Sequence, residues 1–192
     1  MKKQKKQIQK TKNYDIVKLR MRRFIAMIID WYMTNIIAAI PVTFYLRGND
    51  YIHTYSFDLE TYGFSTGLML GLFVIIMAII YYLIIPTYIW KGQTLGKKIC
   101  KICIIEETGH EVSFKNMFLR EIIGAVFLEG GIVITATYIR KLIQLYGYIS
   151  IVTPLKYISY AITISSIIYA YFNPLSQSFH DKLARTCVIK KD

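Results

Sequence analysis

Arg23 and Asp30 stand seven residues apart in "RRFIAMIID", and the six residues between them are uncharged. A guanidinium and a carboxylate so placed can pair, or hold a proton or a small cation. Glu129 lies in "VFLEGGIVI", again surrounded by apolar side chains. His180 and Asp181 are adjacent in "SFHDKLARTC", and Arg120 precedes Glu121 in "LREII". Ionisable groups inside apolar stretches mark ion or proton pathways by default, because an ionised group is costly away from water. Hydrolytic chemistry is not expected. His180 and Asp181 have no serine or cysteine in an elbow or triad pattern to act on.

Two further clusters carry weaker signals. Gly92, Gly96 and Lys97 suggest a phosphate cradle, but three residues separate the glycines and Lys98 stands where Ser or Thr would follow. Cys100 and Cys103 form a C-x-x-C, and Cys187 is the only other cysteine. Zinc would need four ligands, with only His110 or His180 to complete the set. Redox chemistry would need a thioredoxin-like context. Reduced structural thiols are expected, with no metal and no cofactor.

The elements that must position these residues are long and apolar. Phe24 to Leu46 has Asp30 as its only charge, Thr61 to Trp90 has none, and Ile122 to Ile139 has only Glu129. Tyr157 to Phe179 has none, although Pro174 should end a helix there. A spanning helix needs about 20 apolar residues. Soluble helices keep a polar face, and these runs do not. The chain therefore reads as an all-α integral membrane protein of about four spans, near 24–46, 67–90, 120–139 and 155–173, in one domain from residue 22. The first run is too long for a signal peptide and ends in Tyr45, Leu46 and Arg47.

Basic residues set the orientation. Ten Lys and Arg lie in 1–23, six in 91–120 and four in 173–192. The stretch between the first two runs has only Arg47 against Asp50, Asp58 and Glu60. Both termini should be cytoplasmic. Arg140 and Lys141 conflict with this count, because they would face outward. The apolar piece Leu142 to Leu155 is 14 residues, too short to span, and would lie in the interface or re-enter. Residues 1–21 form a basic arm with six lysines in the first twelve positions. Without aromatic interleaving it suits anionic lipid rather than nucleic acid. In the loop after the second span, Ile99 to Ile105 and the Thr108-Gly109 turn before Val112 and Phe114 suggest a short amphipathic β-hairpin under the membrane.

The blocks "RFIAMIID", "GQTLGKKICKI", "LRE" and "HDKLARTCVI" occur in that order. This set resembles the RDD family of bacterial membrane proteins, named for one arginine and two aspartates. Arg23, Ala26, Ile29 and Asp30 match its first block. Gly92, Thr94, Gly96 and Lys97 match the second, and His180, Asp181, Ala184, Thr186 and Val188 the third. Where the family often has glycine before that threonine, this chain has Arg185, which adds to the inner-face charge. The resemblance implies a bacterial plasma-membrane protein. Some relatives have been proposed to exchange sodium or other monovalent cations for protons.

On a helix, residues 23, 26, 27 and 30 share one face, with Asp30 roughly 10 Å beyond Arg23. A buried aspartate must be protonated, paired or facing a wet cavity, and Arg23 or Arg120 is the expected partner. Two functional readings follow. The first is a monovalent-cation/proton transporter with Arg23, Asp30, Asp181, His180, Glu129 and Arg120 as coupling candidates. Because four spans are few for alternating access, it needs a homo-oligomer or a partner membrane protein. The second is a non-transporting scaffold or accessory subunit that docks partners on its cytoplasmic face.

Overall fold

The computed structural model describes residues 16–41, 44 and 58–191. Most of the basic arm and most of the expected external loop lie outside the described residues. Helix α1 runs Ile16–Pro41. Helix α2 runs Phe64–Ile89, α-helical to Ile79 and π-helical beyond it. The short α3, Leu95–Ile99, leads into strand β1, Ile102–Glu106. Helix α4 runs Phe114–Glu129, widening to a π-helix from Leu119. Then follow α5, Ile134–Leu145, and α6, Ile149–Phe172. The short α7, Phe179–Leu183, and strand β2, Thr186–Lys190, close the chain.

Helices α1, α2 and α6 are each long and apolar enough to cross a membrane, and α4 with α5, bent by 52° at the break between them, passes the same test as a pair, as a broken span or a re-entrant loop. The fold is therefore the expected all-α membrane class with three to four spans. The bounds shift with the packing. Helix α1 begins eight residues before Phe24, inside the stretch read as an arm, because Leu19 is drawn into the core. The 142–155 run is split between α5 and α6 at a turn where Gly147 has φ +89°. Arg140 is buried within the bundle and donates to the Gly130 carbonyl at 2.7 Å. It caps the end of α4, where the carbonyls lack helical partners.

Two apolar cores hold the elements. One joins Ala38, Leu70, Val74 and Ala78 of α1 and α2 to Ile134 and Tyr138 of α5. Small residues let these helices approach: a Cβ on Gly71 would meet Leu142 Cδ2 at 2.5 Å. The other gathers Leu19, Ala26 and Leu83 with Ile102, Ile104, Met117 and Val188, at the end of the bundle that carries the sheet.

The sheet's pairing differs from the expected hairpin. Strand β1 pairs antiparallel with β2 of the C-terminal tail, Ile104 opposite Val188. The local return makes one bridge, Ile105 to Glu111. Ile102, Ile104, Val188 and Ile189 are all buried, and the tail lays two of them along β1, whereas only Val112 of the 111–114 segment is buried. Arg185, just before β2, has φ +51°. That left-handed backbone costs a residue with a Cβ and suits glycine.

Candidate functional site

Asp30 is 2% exposed and sits on the buried stripe Leu19, Ala26, Asp30, Thr34, Ala38 of α1. Its carboxylate faces the "GQTLGK" loop. Thr94 donates to Oδ2 at 2.5 Å, Gly96 N–H donates to Oδ1 at 2.8 Å, and Tyr81 donates to Oδ1 at 2.6 Å. Lys97 Nζ is 3.6 Å from Oδ2. Burial pushes the Lys97 ammonium below its ordinary value, against the pull of Asp30.

Each residue of the loop motif has a reason for its type. Gly92 has φ +79°, and a Cβ there would strike the Ile104 carbonyl. Thr94 caps α3 by accepting from Lys97 N–H at 3.4 Å while it binds Asp30. At Gly96 a Cβ would collide with the Ala26 carbonyl oxygen and lie 2.8 Å from Asp30 Oδ1. The loop is clasped to α1 through Asp30.

This corrects the expected partner. Neither Arg23 nor Arg120 is the group bound to Asp30. Both converge on Asp181 of α7, which is fully buried. Arg23 Nη2 is 2.5 Å from Oδ2, and Arg120 Nε donates to Oδ1 at 2.9 Å. Arg23 also donates to the Ser176 carbonyl, and Arg120 pairs with Glu121. Burial alone would raise the Asp181 carboxyl, but the Arg23 and Arg120 guanidiniums outweigh it and hold it well below the usual carboxylate range. Asp181 closes a capping box with Ser178, accepting from its N–H at 3.2 Å and its hydroxyl at 2.9 Å.

Glu129 is the third centre. It lies at the last residue of α4, where the Gly130 N–H reaches back five residues to the Ala125 carbonyl at 2.8 Å. Gly130 turns the chain with φ +63°, and Gly131 packs its backbone against Thr163 of α6. Glu129 Oε1 accepts from Ser166 at 2.7 Å and from the His180 N–H at 3.0 Å, and lies 2.9 Å from His180 Nδ1. His180 Nε2 is 3.1 Å from Arg120 Nη2. A guanidinium can only donate, so Nε2 accepts there and the Nδ1 proton points at Glu129. The tail thus rises between the spans: Phe179 N–H donates to Ser166 Oγ at 2.9 Å. Gly124 makes room, since a Cβ there would meet His180 Cβ at 2.6 Å.

Asp30, Glu129 and the Arg23 and Arg120 that hold Asp181 line one cavity of about 360 Å³ walled by α1, α2, α4, α5 and α6. Its polar side presents Arg23, Lys97, Arg120, Glu121, Glu129 and His180. Every candidate from the sequence is therefore in one region. Tyr81 and Glu121 were not among the sequence candidates, and Thr94 and Lys97 were marked there only as motif positions. The "GQTLGK" motif was the available signal for Thr94 and Lys97, though nothing in it names Asp30. Cys100, Cys103 and Cys187 are free thiols, with Cys187 opposite Ile105 in the sheet. Among the described residues no group of three His, Cys, Asp or Glu side chains could hold a metal ion.

The RDD family model matches residues 18–185. The chain is also similar to "Uncharacterized protein YckC" of Bacillus subtilis (strain 168), 34% identical over 56 residues, which is 29% of this chain and 36% of that one. No solved structure matches. All three matched motifs take part in the geometry above: the first supplies Arg23 and Asp30, the second the clasp, the third His180 and Asp181. The protein belongs to the RDD family of membrane proteins.

Proposed function

We propose that this is a multi-pass protein of the bacterial plasma membrane, with both termini cytoplasmic, that couples proton movement to a monovalent cation. The observation that carries this reading is the Glu129–His180 contact. It joins a carboxylate and an imidazole at a helix break, on the wall of a cavity inside the bundle. Broken helices with ionisable groups near the break are where secondary transporters bind ions. Asp30 has a different role in this proposal. It is occupied by a hydroxyl on each side, an amide and an ammonium, so it fastens the loop to α1. Arg23, Arg120 and Asp181 fix the tail so that His180 meets Glu129.

The test is flux in reconstituted vesicles. The wild-type chain should drive Na⁺ or K⁺ movement from a pH gradient. Glu129→Gln should abolish it at normal membrane level, because the amide oxygen still accepts from Ser166 while the side chain no longer takes up a proton. Wild-type protein that moves no monovalent cation overturns the proposal.

A scaffold or accessory role is the second reading, favoured by one observation. Helix α6 buries only Thr163 and Ser166, and leaves Tyr157, Ile164 and Phe172 exposed. That face suits lipid, a second copy or a partner membrane protein.

A further inference from the structure

The same cavity has a second side that the cation proposal does not use. It opens laterally between α1 and α6. One wall is Phe24, Met27 and Trp31 of α1, at helical spacing on one face. The other is Ile167, Ala170 and Tyr171 of α6. Phe24, Met27, Trp31, Ile167 and Tyr171 are exposed along this mouth. The volume, about 360 Å³, lies in the range of pockets that bury small ligands.

One end of the cleft is basic. The Arg20 guanidinium lies 4.8 Å over the Tyr171 ring and reaches the Asn173 carbonyl at 3.4 Å. Its Nε is buried with no hydrogen-bond partner. Arg23, Lys97, Arg120 and His180 each have a carboxylate within 4 Å. Among the described residues no carboxylate pairs with Arg20. The mouth therefore offers an apolar slot that ends in a cation with no carboxylate partner among the described residues, a pairing that suits an anionic headgroup.

We infer that the cleft binds one anionic phospholipid, with an acyl chain between α1 and α6 and its phosphate on Arg20. The chemistry matches at both ends: a methylene chain meets Phe24, Met27, Ile167 and Ala170, and a phosphate oxygen accepts from the guanidinium. The bound chain also separates the charged side of the cavity from bulk hydrocarbon. The site does not depend on cation movement.

Trp31 reports on it. Trp31 and Trp90 are the only tryptophans, so Trp90→Phe leaves one probe on the rim. That protein is placed in phosphatidylcholine nanodiscs, with increasing phosphatidylglycerol brominated on its acyl chains. Brominated phosphatidylcholine is the comparison. Quenching of Trp31 should reach half its maximum at about fivefold less phosphatidylglycerol than phosphatidylcholine, the effect of one basic residue on an anionic lipid. Arg20→Gln should make the two lipids equal, and Arg20→Lys should keep most of the preference. Ala170→Phe should remove the saturable quenching by both. If Arg20→Gln does not accumulate, high salt must weaken the preference in the parent protein. Equal quenching by the two lipids in the parent, or an undiminished preference in Arg20→Gln or at high salt, overturns the site.

Discussion

Arg23 Nη2 lies 2.5 Å from Asp181 Oδ2, although 158 residues separate them in the chain. This contact ties the first helix to the C-terminal tail. It explains why Asp30, on the same helix as Arg23, is free to hold a different segment. Buried charges persist only when paired and hydrogen-bonded, and here two separate carboxylates are each surrounded by their own donors.

Asp30→Asn is expected to destabilise the protein by roughly 3–5 kcal/mol, because it strands Lys97 in the interior. Membrane level and thermal unfolding in detergent should both fall. Adding Lys97→Met should restore much of the loss. Adding Arg23→Gln should not, since Arg23 belongs to Asp181. Recovery with Arg23→Gln instead would contradict the clasp.

Gly96→Ala should prise the loop from α1. The new methyl has no space beside the Ala26 carbonyl, and overpacking of this kind costs about 1–3 kcal/mol. Cys100 is buried one residue beyond α3, so its labelling by a thiol reagent should rise several-fold. Lys98→Ala, on the exposed side of the same short helix, should leave labelling unchanged. Equal labelling in the two variants would argue against the close approach.

The Asp181 carboxyl is held below its ordinary value, so its protonation opposes folding. Its contribution is fully present above the unfolded value of about 3.9 and is lost as pH falls through the folded value. Asp181→Asn should lower the unfolding midpoint at pH 7, because Arg23 and Arg120 lose their shared partner. The gap between wild type and variant should stay constant from pH 7 to pH 5. It should narrow only in stronger acid. A gap that closes before pH 5 would mean that Asp181 is not held down by its arginines.

The native thiols should react slowly from either side of the membrane. Burial pushes Cys103 up to about 11 and Cys187 up to about 12, the latter with help from Asp181 and Glu107. Little thiolate is present at pH 8. Glu111 is exposed, in a surface pair with Lys91 at 3.0 Å that contributes little. Glu111→Cys should therefore add fast labelling in inverted vesicles and none in intact cells. The reverse pattern would invert the proposed orientation.

Spans α1, α2 and α6, the strand near Ile102 and the isolation of Asp30 and Glu129 were readable from local sequence. Run length, charge spacing and β-branching act over a few turns, and they bound these elements to within several residues. The π-helical segments, Ile80–Ile89 and Leu119–Glu129, were not readable, because apolar composition does not separate π from α hydrogen bonding. Nor was the pairing of charges. Arg23 and Asp30 share a helix about 10 Å apart in rise, but Asp181 takes the one and Thr94, Gly96 and Tyr81 the other. Helical spacing could say which residues face inward, not which element would come to meet them. Only the folded chain brings the "GQTLGK" loop to Asp30 and carries Asp181 and His180 up between the spans. Those meetings are decided by which apolar faces pack, and the polar side chains take the partners that the packing leaves within reach.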